Sequence, residues 1–197
     1  NSVKEFNDVP TPLKVAESIG PRLAKDTLGA KLNGTEEVVD LRTTLSTGTK
    51  IELITSKHPS ANEVIRHSGA HIMAQAVQAL WPEVKVTIGP VIDNGFFYDF
   101  DSPRPFTEED LMAIEKKMSD IIKSDFAIIK EEWPIDKAIS VFEKMQERFK
   151  VEIIKDLQAK GETQVSIYHQ GDWFDLCRGP HVQSTGQVKA FKLLSVA

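Results

Sequence analysis

Two histidines stand four residues apart in the stretch IRHSGAHIMAQ, which spans residues 65–75. On an α-helix, residues at i and i+4 lie on the same face with their Cβ atoms roughly 5 to 6 Å apart. His67 and His71 can therefore share one ligand. Two partly exposed histidines on a polar helix face would give the same spacing, so the interpretation depends on a second cluster.

The second cluster lies in DLCRGPHV, where Cys177, the only cysteine, precedes His181 by four residues. The two clusters hold three of the five histidines and the single thiol. Imidazole nitrogens and a thiolate are ligands of tetrahedral zinc, and they also suit proton transfer to a reacting ester. Asp175 could orient one of the histidines, although an aspartate at a strand end is also explained as a turn residue. We expect the two clusters to meet in one cleft.

The first 57 residues predict a small α+β unit. Thr11 is a helix cap with Pro12 in the first turn, and this helix is expected to end at Gly20-Pro21. Four short strands are expected at residues 3–6, 30–32, 38–41 and 51–54, with turns at Asn33-Gly34 and Thr47-Gly48. This part contains no histidine, cysteine or glycine-rich phosphate loop, which favours a docking or spacing module.

The remaining residues predict several helices packed on a mostly antiparallel sheet, which is again the α+β class. Ser60 and Glu63 form a capping box that opens a helix, and Trp81-Pro82 ends it after Leu80. This helix carries both histidines of the first cluster. Further helices are expected from Thr107, over 134–149 and over 151–160, with strands at 85–89, 96–100, 126–130, 164–169 and 173–176 and turns at Asn94-Gly95 and Gly171-Asp172.

The composition, 41% hydrophobic and 27% charged, is typical of a globular chain, and no apolar run approaches the roughly 18 to 20 residues that span a bilayer. A single cysteine excludes an internal disulfide framework, and no secretory signal is recognisable, which favours a reducing, cytoplasmic setting. The net charge is −5, and residues 58–197 carry 16 basic against 21 acidic groups. A strongly basic nucleic-acid clamp is therefore excluded, so nucleic acid would be held by local contacts or by parts of a larger protein.

Three runs of the chain resemble the N-terminal region of the bacterial threonyl-tRNA synthetase family: RHSGAHIMAQAVQALWP, IGPVIDNGFFYDFD and FDLCRGPHV. The resemblance covers nearly the whole chain. It implies a TGS (ubiquitin-like β-grasp) domain over residues 1–57 and an editing domain over residues 58–197. The HxxxH and CxxxH pairs are shared with the editing domain of alanyl-tRNA synthetase and its free-standing relatives, whereas IGPVIDNGFFYDFD and the leading module point to the threonyl family.

The resemblance implies that water hydrolyses the ester of threonine tRNA mischarged with serine, so the partner is the tRNA acceptor end. Serine lacks one methyl group of threonine, which is worth only about 1 to 3 kcal/mol in a pocket, so a second site is needed to remove errors. The parent protein would ligate threonine to tRNA(Thr) using ATP, and it would be a homodimer, both through domains outside this chain. AFKLLSVA is expected to be a strand cut at the end of the fragment.

The resemblance also implies six catalytic candidates. The helix histidines would position or activate water and the substrate amine, and Lys150 would polarise the carbonyl or relay a proton, although FKVEIIK also reads as a solvated surface helix. Asp175 would bind the substrate ammonium or hydroxyl, while the cysteine and the last histidine complete the wall, the thiol in a positioning rather than a nucleophilic role. The full set is His67, His71, Lys150, Asp175, Cys177 and His181.

Substrate-binding candidates lie in two predicted strands, 85–89 and 96–100, and in the loop between them. The backbone around Gly89-Pro90 and Asp93-Asn94-Gly95 is a candidate for the wall that refuses the extra methyl, since glycine lets main chain approach a ligand closely. Simple turn geometry also explains these glycines. Tyr98 would close the pocket or touch the terminal adenosine, while ordinary strand packing is the alternative. The set is Gly89, Pro90, Asp93, Asn94 and Tyr98.

No metal is expected to be required, since the resemblance to the threonyl family implies editing with water and side chains. If zinc is present, the resemblance to the alanyl relatives implies the ligands His67, His71, Cys177 and His181. Gly69 stands where members of the family often carry a cysteine, which removes a thiol beside the histidines and argues against metal dependence.

Two other functions stay open from the sequence. The chain could be a non-catalytic module that orients tRNA, in which case charged and uncharged tRNA would bind alike and neither would be hydrolysed. It could also be a free-standing deacylase for alanine tRNA mischarged with serine, although the TGS-like start argues against this.

Overall fold

The computed structural model describes Phe6 and residues 9–196. The chain divides into two compact units, the first made of residues up to Ile65 together with Gly179–Val182, and the second of Arg66–Arg178 together with the residues from Gln183. Within the described residues, every pairing between named strands is antiparallel. Helices and antiparallel sheets confirm the predicted α+β class.

None of the helices in the described part of the chain is long and apolar enough to cross a membrane.

The first unit has two short helices, α1 (Pro12–Ile19) and α2 (Pro21–Asp26), and the strands β1 (Thr27–Leu32), β2 (Val38–Val39) and β3 (Ile51–Thr55) in the order β2-β1-β3. The predicted start of α1 is confirmed, because the Thr11 side chain accepts from the Lys14 N–H at 3.3 Å. Pro21 ends α1 as predicted but also opens α2, since proline fits a first helical turn. Most of the predicted strand at residues 3–6 lies outside the described residues, and Phe6 itself is not in a strand.

The second unit is built on the sheet β10-β9-β8, from β8 (Ile128–Pro134), β9 (Gln164–Gln170) and β10 (Trp173–Leu176), and on α4 (Glu108–Ser124), α5 (Ile135–Lys144) and α6 (Arg148–Ala159). The long helix α3 (Ala61–Leu80) starts in the first unit and runs into the second, with the bounds that the sequence predicts. One face of the sheet shares a core with α5 and α6: Trp133, Ile135, Ala138, Phe142, Val151, Ile154, Val165 and Ile167.

The helix α4 begins after Thr107, as predicted, and its N-terminus is closed by a capping box. Thr107 accepts from the Asp110 N–H, while the Asp110 carboxylate accepts from the Thr107 N–H at 2.8 Å. Ile114 and Met118 are buried on the inner face of the helix. Two orphan amides are satisfied reciprocally, which fixes where this helix begins.

The segment before α4 differs from its prediction. In place of two continuous strands over 85–89 and 96–100, four two-residue strands form two pairs: β4 (Lys85–Val86) with β7 (Phe100–Asp101), and β5 (Val91–Ile92) with β6 (Gly95–Phe96). The predicted strands were wrong in extent because Asp99 bonds to both Thr87 and Ile88, a bulge that interrupts the ladder. The tight turn is Asp93-Asn94, and Gly95 already belongs to β6.

The helix predicted over 134–149 was also wrong in extent. It ends at Lys144, and a turn with Gln146 at φ 59° separates it from α6. The preceding strand begins two residues later than predicted and continues to Pro134, because Trp133 belongs to the buried face of the sheet rather than to the helix. The new start of α6 sets the position of Lys150.

Candidate active site

A cavity of about 590 Å³ lies within the second unit, between α3, α6, β9, β10 and the loop that follows β4. Eight predicted site residues line it: His67, His71, Gly89, Pro90, Tyr98, Lys150, Asp175 and Cys177. Asp93 and Asn94 form the β5–β6 turn and are not among its lining residues. His181 belongs to the first unit, where its backbone N–H donates to Asp40 at 3.2 Å, so its predicted place in the site stays a prediction.

The most deeply buried polar group of the cavity is the pair of Lys150 and Asp175. The Lys150 ammonium donates to Asp175 Oδ2 at 2.9 Å, and the two side chains are only 4% and 1% exposed. From the sequence alone, Lys150 could also have been a solvated residue on a surface helix. In the structure it is a buried residue of α6, and the turn before this helix directs it inward. A buried cation is retained only with a partner of opposite charge, and Asp175 supplies it.

Asp175 accepts two further hydrogen bonds. Tyr98 Oη donates to Oδ2 at 3.0 Å, and the backbone N–H of Leu176 donates to Oδ1 at 2.8 Å. Since an ionised carboxylate offers about four lone-pair sites, one site remains for a ligand. Asp175 therefore holds Lys150 and Tyr98, and it has limited capacity for the substrate ammonium that the family resemblance implies as its ligand.

Tyr98 is held as a neutral donor. Burial, and then the neighbouring carboxylate of Asp175, raise the pKa of Tyr98 well above its usual value. Its phenol therefore stays protonated and donates to Asp175, while the Lys150 ammonium lies 3.4 Å from the same oxygen.

The two histidines of α3 lie side by side with ring centroids 5.3 Å apart and nearly perpendicular planes. His71 is buried, whereas His67 is half-buried at the cavity. Burial, with the positive charge of Lys150 and the neighbouring His67 as weaker causes, holds the pKa of His71 well below its usual value of about 6.5. The His71 imidazole is therefore neutral at neutral pH, the protonation state in which a ring nitrogen can accept a proton.

Cys177 completes this side of the cavity. Its Sγ lies 3.2 Å from His67 Nε2, a hydrogen-bond contact whose direction depends on the tautomer of the imidazole. Two bonds to Ser166 fix the backbone of Cys177, one from the Cys177 N–H at 3.1 Å and one from the Ser166 hydroxyl to the Cys177 carbonyl at 2.6 Å. The thiol is thus placed by the β9–β10 pair opposite α3.

Gly89 leaves room for the ring of Tyr98. A Cβ at this position would overlap the ring of Tyr98. The absence of a side chain thus lets the Tyr98 ring pack against the main chain and bring its hydroxyl to Asp175. Sequence reasoning found both residues but could not show that one makes room for the other.

Sequence reasoning missed the residue that holds the β5–β6 hairpin. Arg66, next to His67 on α3, donates from Nη1 to the carbonyl of Asp93 at 2.6 Å. One turn along, Gly69 packs against Phe96, whose Cε1 would lie 3.0 Å from an added Cβ. A Cβ at position 69 would therefore require the Phe96 ring to shift slightly.

A second missed group ties α3 to β9 behind the histidines. The buried Gln170 amide donates to the carbonyl of His71 at 3.2 Å and to Gln75 Oε1 at 2.8 Å, and Gln75 donates back to the Gln170 carbonyl at 3.0 Å. Glutamines are common on surfaces, so only the fold reveals that these two are buried.

The donor atoms of His67, His71 and Cys177 lie within 4.8 Å of one another, so this group could hold a metal ion. Two imidazoles and a thiolate are a donor set that zinc accepts, and the residues fit such an ion by type and proximity.

Two family models and several known proteins are similar to parts or all of this chain. A family model described as the TGS domain matches residues 1–55. A second model, described as the threonyl and alanyl tRNA synthetase second additional domain, matches residues 165–197. A protein of Bdellovibrio bacteriovorus named threonine–tRNA ligase is 68% identical over 198 residues, which is 100% of this chain and 30% of that protein. The chain is homologous to a fragment of threonine–tRNA ligase.

Other threonine–tRNA ligases are similar over the same extent. The protein of Alkalilimnicola ehrlichii is 50% identical over 196 residues, covering 100% of this chain and 30% of that ligase. That of Citrifermentans bemidjiense is 52% identical over 183 residues, covering 93% and 28%. The chain thus spans about 30% of the length of these threonine–tRNA ligases. The family resemblance seen in its sequence is confirmed.

Proposed function

We propose that the second unit is the editing site of a threonine–tRNA ligase and hydrolyses the ester that joins serine to tRNA(Thr). The observation that carries this proposal is the cavity in which a buried Lys150–Asp175 pair faces two histidines and a thiol. Homology to threonine–tRNA ligase and the match to the second additional domain support it. The remainder of the ligase joins threonine to tRNA(Thr) with ATP.

The side chains supply the three needs of ester hydrolysis, which are a base, a stabiliser of the oxyanion and a proton for the leaving group. The α3 imidazoles hold the water, and a ring nitrogen of His71 or His67 accepts its proton as the water oxygen attacks the carbonyl carbon. The Lys150 ammonium stabilises the negative charge that develops on the carbonyl oxygen. The ester C–O bond then breaks, and the protonated imidazole returns the proton to the ribose oxygen.

Cys177 and His181 complete the proposed catalytic set. The thiol lies against His67, which suits a role in holding the imidazole and does not require an acyl-thioester intermediate. For His181 we propose the role that the family resemblance implies, as part of the pocket wall.

Selection of serine over threonine is proposed to be steric. Gly89, Pro90 and Tyr98 line the cavity, and their rigid packing leaves a wall that accepts a hydroxymethyl group and refuses one more methyl. Asp93 and Asn94 shape this wall indirectly through the hairpin that Arg66 holds. The remaining lone pair of Asp175 would accept from the substrate ammonium or hydroxyl.

Hydrolysis is proposed to require no metal. If zinc is bound, His67, His71 and Cys177 would hold it, with His181 as the fourth ligand implied by the sequence, and the ion would supply an activated water.

For organisation, we propose a TGS domain over residues 1–57 and an editing domain over residues 58–197. The partner is the acceptor end of tRNA(Thr) in a reducing, cytoplasmic setting, and the ligase would dimerise through its other domains. Because residues 58–197 are acidic overall, affinity of this chain for tRNA should be weak.

The deciding experiment presents this chain with three substrates: tRNA(Thr) charged with serine, tRNA(Thr) charged with threonine, and tRNA(Ala) charged with serine. The proposal expects rapid loss of serine from tRNA(Thr) and slow loss of threonine. Cleavage of seryl-tRNA(Ala) alone would favour the alanyl-type deacylase, and cleavage of none would favour a tRNA-orienting module.

A further inference from the structure

The side-chain amide of Gln78 is fully engaged behind the cavity. Its Nε2 donates to Glu147 Oε1 at 2.7 Å and to the Val84 carbonyl at 3.1 Å, while its Oε1 accepts from the Trp173 indole at 2.7 Å. An indole nitrogen can only donate, which fixes the amide orientation. The group that faces Gln78 Nε2 must therefore be an acceptor.

Glu147 supplies that acceptor from the turn between α5 and α6, where its side chain is almost wholly buried. Its second oxygen accepts from the Val86 N–H at 3.3 Å, and the Lys85 ammonium lies 4.0 Å from Oε1. Burial raises the pKa of Glu147, and the hydrogen bond from Gln78 acts in the opposite direction. Since both oxygens face N–H donors, an amide at position 147 could satisfy only one of them.

This network connects the elements that carry the proposed catalytic groups. Gln78 lies two turns after His71 on α3, and the Trp173 ring to which it bonds meets the His71 ring edge-on at 5.8 Å. Glu147 stands three residues before Lys150, and its carbonyl accepts the Val151 N–H in the first turn of α6. Neither Gln78 nor Glu147 is among the residues that line the cavity.

We propose that Gln78 and Glu147 are positioning residues for the hydrolysis, whose hydrogen bond fixes Lys150 on α6 relative to His71 on α3. The proposal rests on the proposed function. A displacement of about 1 Å between groups that act together can cost on the order of 100-fold in rate. A hydrogen bond outside the cavity can therefore control the reaction within it.

Exchanging the two side chains tests the role of the Gln78–Glu147 hydrogen bond. Gln78→Glu places a carboxylate against Glu147 and the Val84 carbonyl, and we expect kcat for seryl-tRNA(Thr) hydrolysis to fall about tenfold or more with KM unchanged within about twofold. Glu147→Gln sets its new amide N–H against another donor, either Gln78 Nε2 or the Val86 N–H. We expect it to lower kcat by a smaller factor. In the double variant, the position 147 amide donates to the position 78 carboxylate and accepts from the Val86 N–H, while the Val84 carbonyl still faces a carboxylate oxygen. We therefore expect kcat to recover in part, to at least about threefold above the product of the two single effects. Glu152→Gln, an exposed change on the same helix, is the matched control.

A second readout does not depend on activity. Because the Trp173 indole lies between Gln78 and His71, Gln78→Glu should shift the imidazole resonances of His71 in an NMR spectrum, and Glu152→Gln should not. Folding of each variant is checked by thermal unfolding.

Unchanged kcat in both single variants, or a double variant that shows only the product of the single effects, would overturn the proposal. An unmoved His71 resonance in Gln78→Glu would overturn it as well. If the wild-type chain does not hydrolyse seryl-tRNA(Thr), the proposed function is wrong. The imidazole resonances of His71 still decide whether the Gln78–Glu147 hydrogen bond positions this histidine.

Discussion

The ammonium of Lys150 and the carboxylate of Asp175 lie 2.9 Å apart with almost no exposure to solvent, and Tyr98 donates to the same carboxylate. Removing one member of a buried ion pair leaves an uncompensated charge, whereas an intact pair contributes little net stability. The pair therefore holds a cation at a defined place in the cavity wall, where a developing negative charge on a substrate can use it.

The first expectation concerns stability. Asp175→Asn leaves Lys150 buried without a counter-charge, so the free energy of unfolding should fall by about 3 to 5 kcal/mol. Lys150→Met should cost less, because Asp175 keeps two donors, Tyr98 and the Leu176 N–H. Urea unfolding of both variants measures the difference. The exposed Lys155–Glu143 pair is the control, and Glu143→Gln should change stability by less than about 1 kcal/mol.

The second expectation concerns the contact between Gly89 and Tyr98. Gly89→Ala forces the Tyr98 ring away from the main chain, which should destabilise the protein by about 1 to 3 kcal/mol and lower seryl-tRNA(Thr) hydrolysis about tenfold or more. Gly95→Ala is the matched control, since an added Cβ there meets nothing within 4 Å. Deacylation rates and thermal unfolding measure both. Equal behaviour of the two variants would show that the contact is unimportant.

The third expectation is that hydrolysis does not depend on a metal ion. Protein purified without added zinc should contain far less than one metal ion per chain and should keep its rate after treatment with a chelator. Elemental analysis and deacylation before and after chelation measure this. Activity that disappears with the chelator and returns with zinc would assign His67, His71 and Cys177 to a zinc site instead.

The fourth expectation concerns pH. Two bonds from Arg104 and the Thr107 N–H hold the pKa of Asp110 well below its usual value of about 3.9. Because the folded-state pKa is the lower one, this stabilisation is present above about pH 4 and is lost as pH falls through the folded-state pKa. Asp110→Asn should therefore lower Tm at pH 7, and its difference from wild type should shrink at pH 3.

The exposed Asp120→Asn on the same helix is the control for this pH dependence. A Tm difference for Asp110→Asn that is the same at both pH values would mean that the ionised carboxylate is not what stabilises the start of α4.

The sequence predicted those helix ends that are set by residues only a few positions away. Thr11, the Thr107 cap and Trp81-Pro82 act within a few residues of themselves, so the ends of three helices followed from the sequence. The spacing of His67 and His71 likewise placed them on one helix face. The gathering of Cys177 with them required a guess from composition, and the fold places the thiol beside His67.

The remaining features depend on partners distant in sequence. Lys150 stands in a stretch typical of a solvated helix, and its burial depends on Asp175, which lies 25 residues later. Glu147 is a turn residue whose partner Gln78 lies 69 residues earlier, and neither residue type signals burial. The bulge at Asp99 also depends on distant partners, because it arises from backbone hydrogen bonds to Thr87 and Ile88 on the other side of the loop.

The proposed function requires that the cavity's own side chains hydrolyse seryl-tRNA(Thr). Its most direct test is the single-turnover rate of this reaction for the wild-type chain and for His67→Ala, His71→Ala, Lys150→Ala and Cys177→Ala, with His58→Ala, whose imidazole lies in the first unit, as the control. We expect a fall of about 100-fold or more for Lys150→Ala and for at least one of the α3 histidines, with His58→Ala unchanged. Wild-type rates in all four cavity variants would show that these side chains do not carry the reaction.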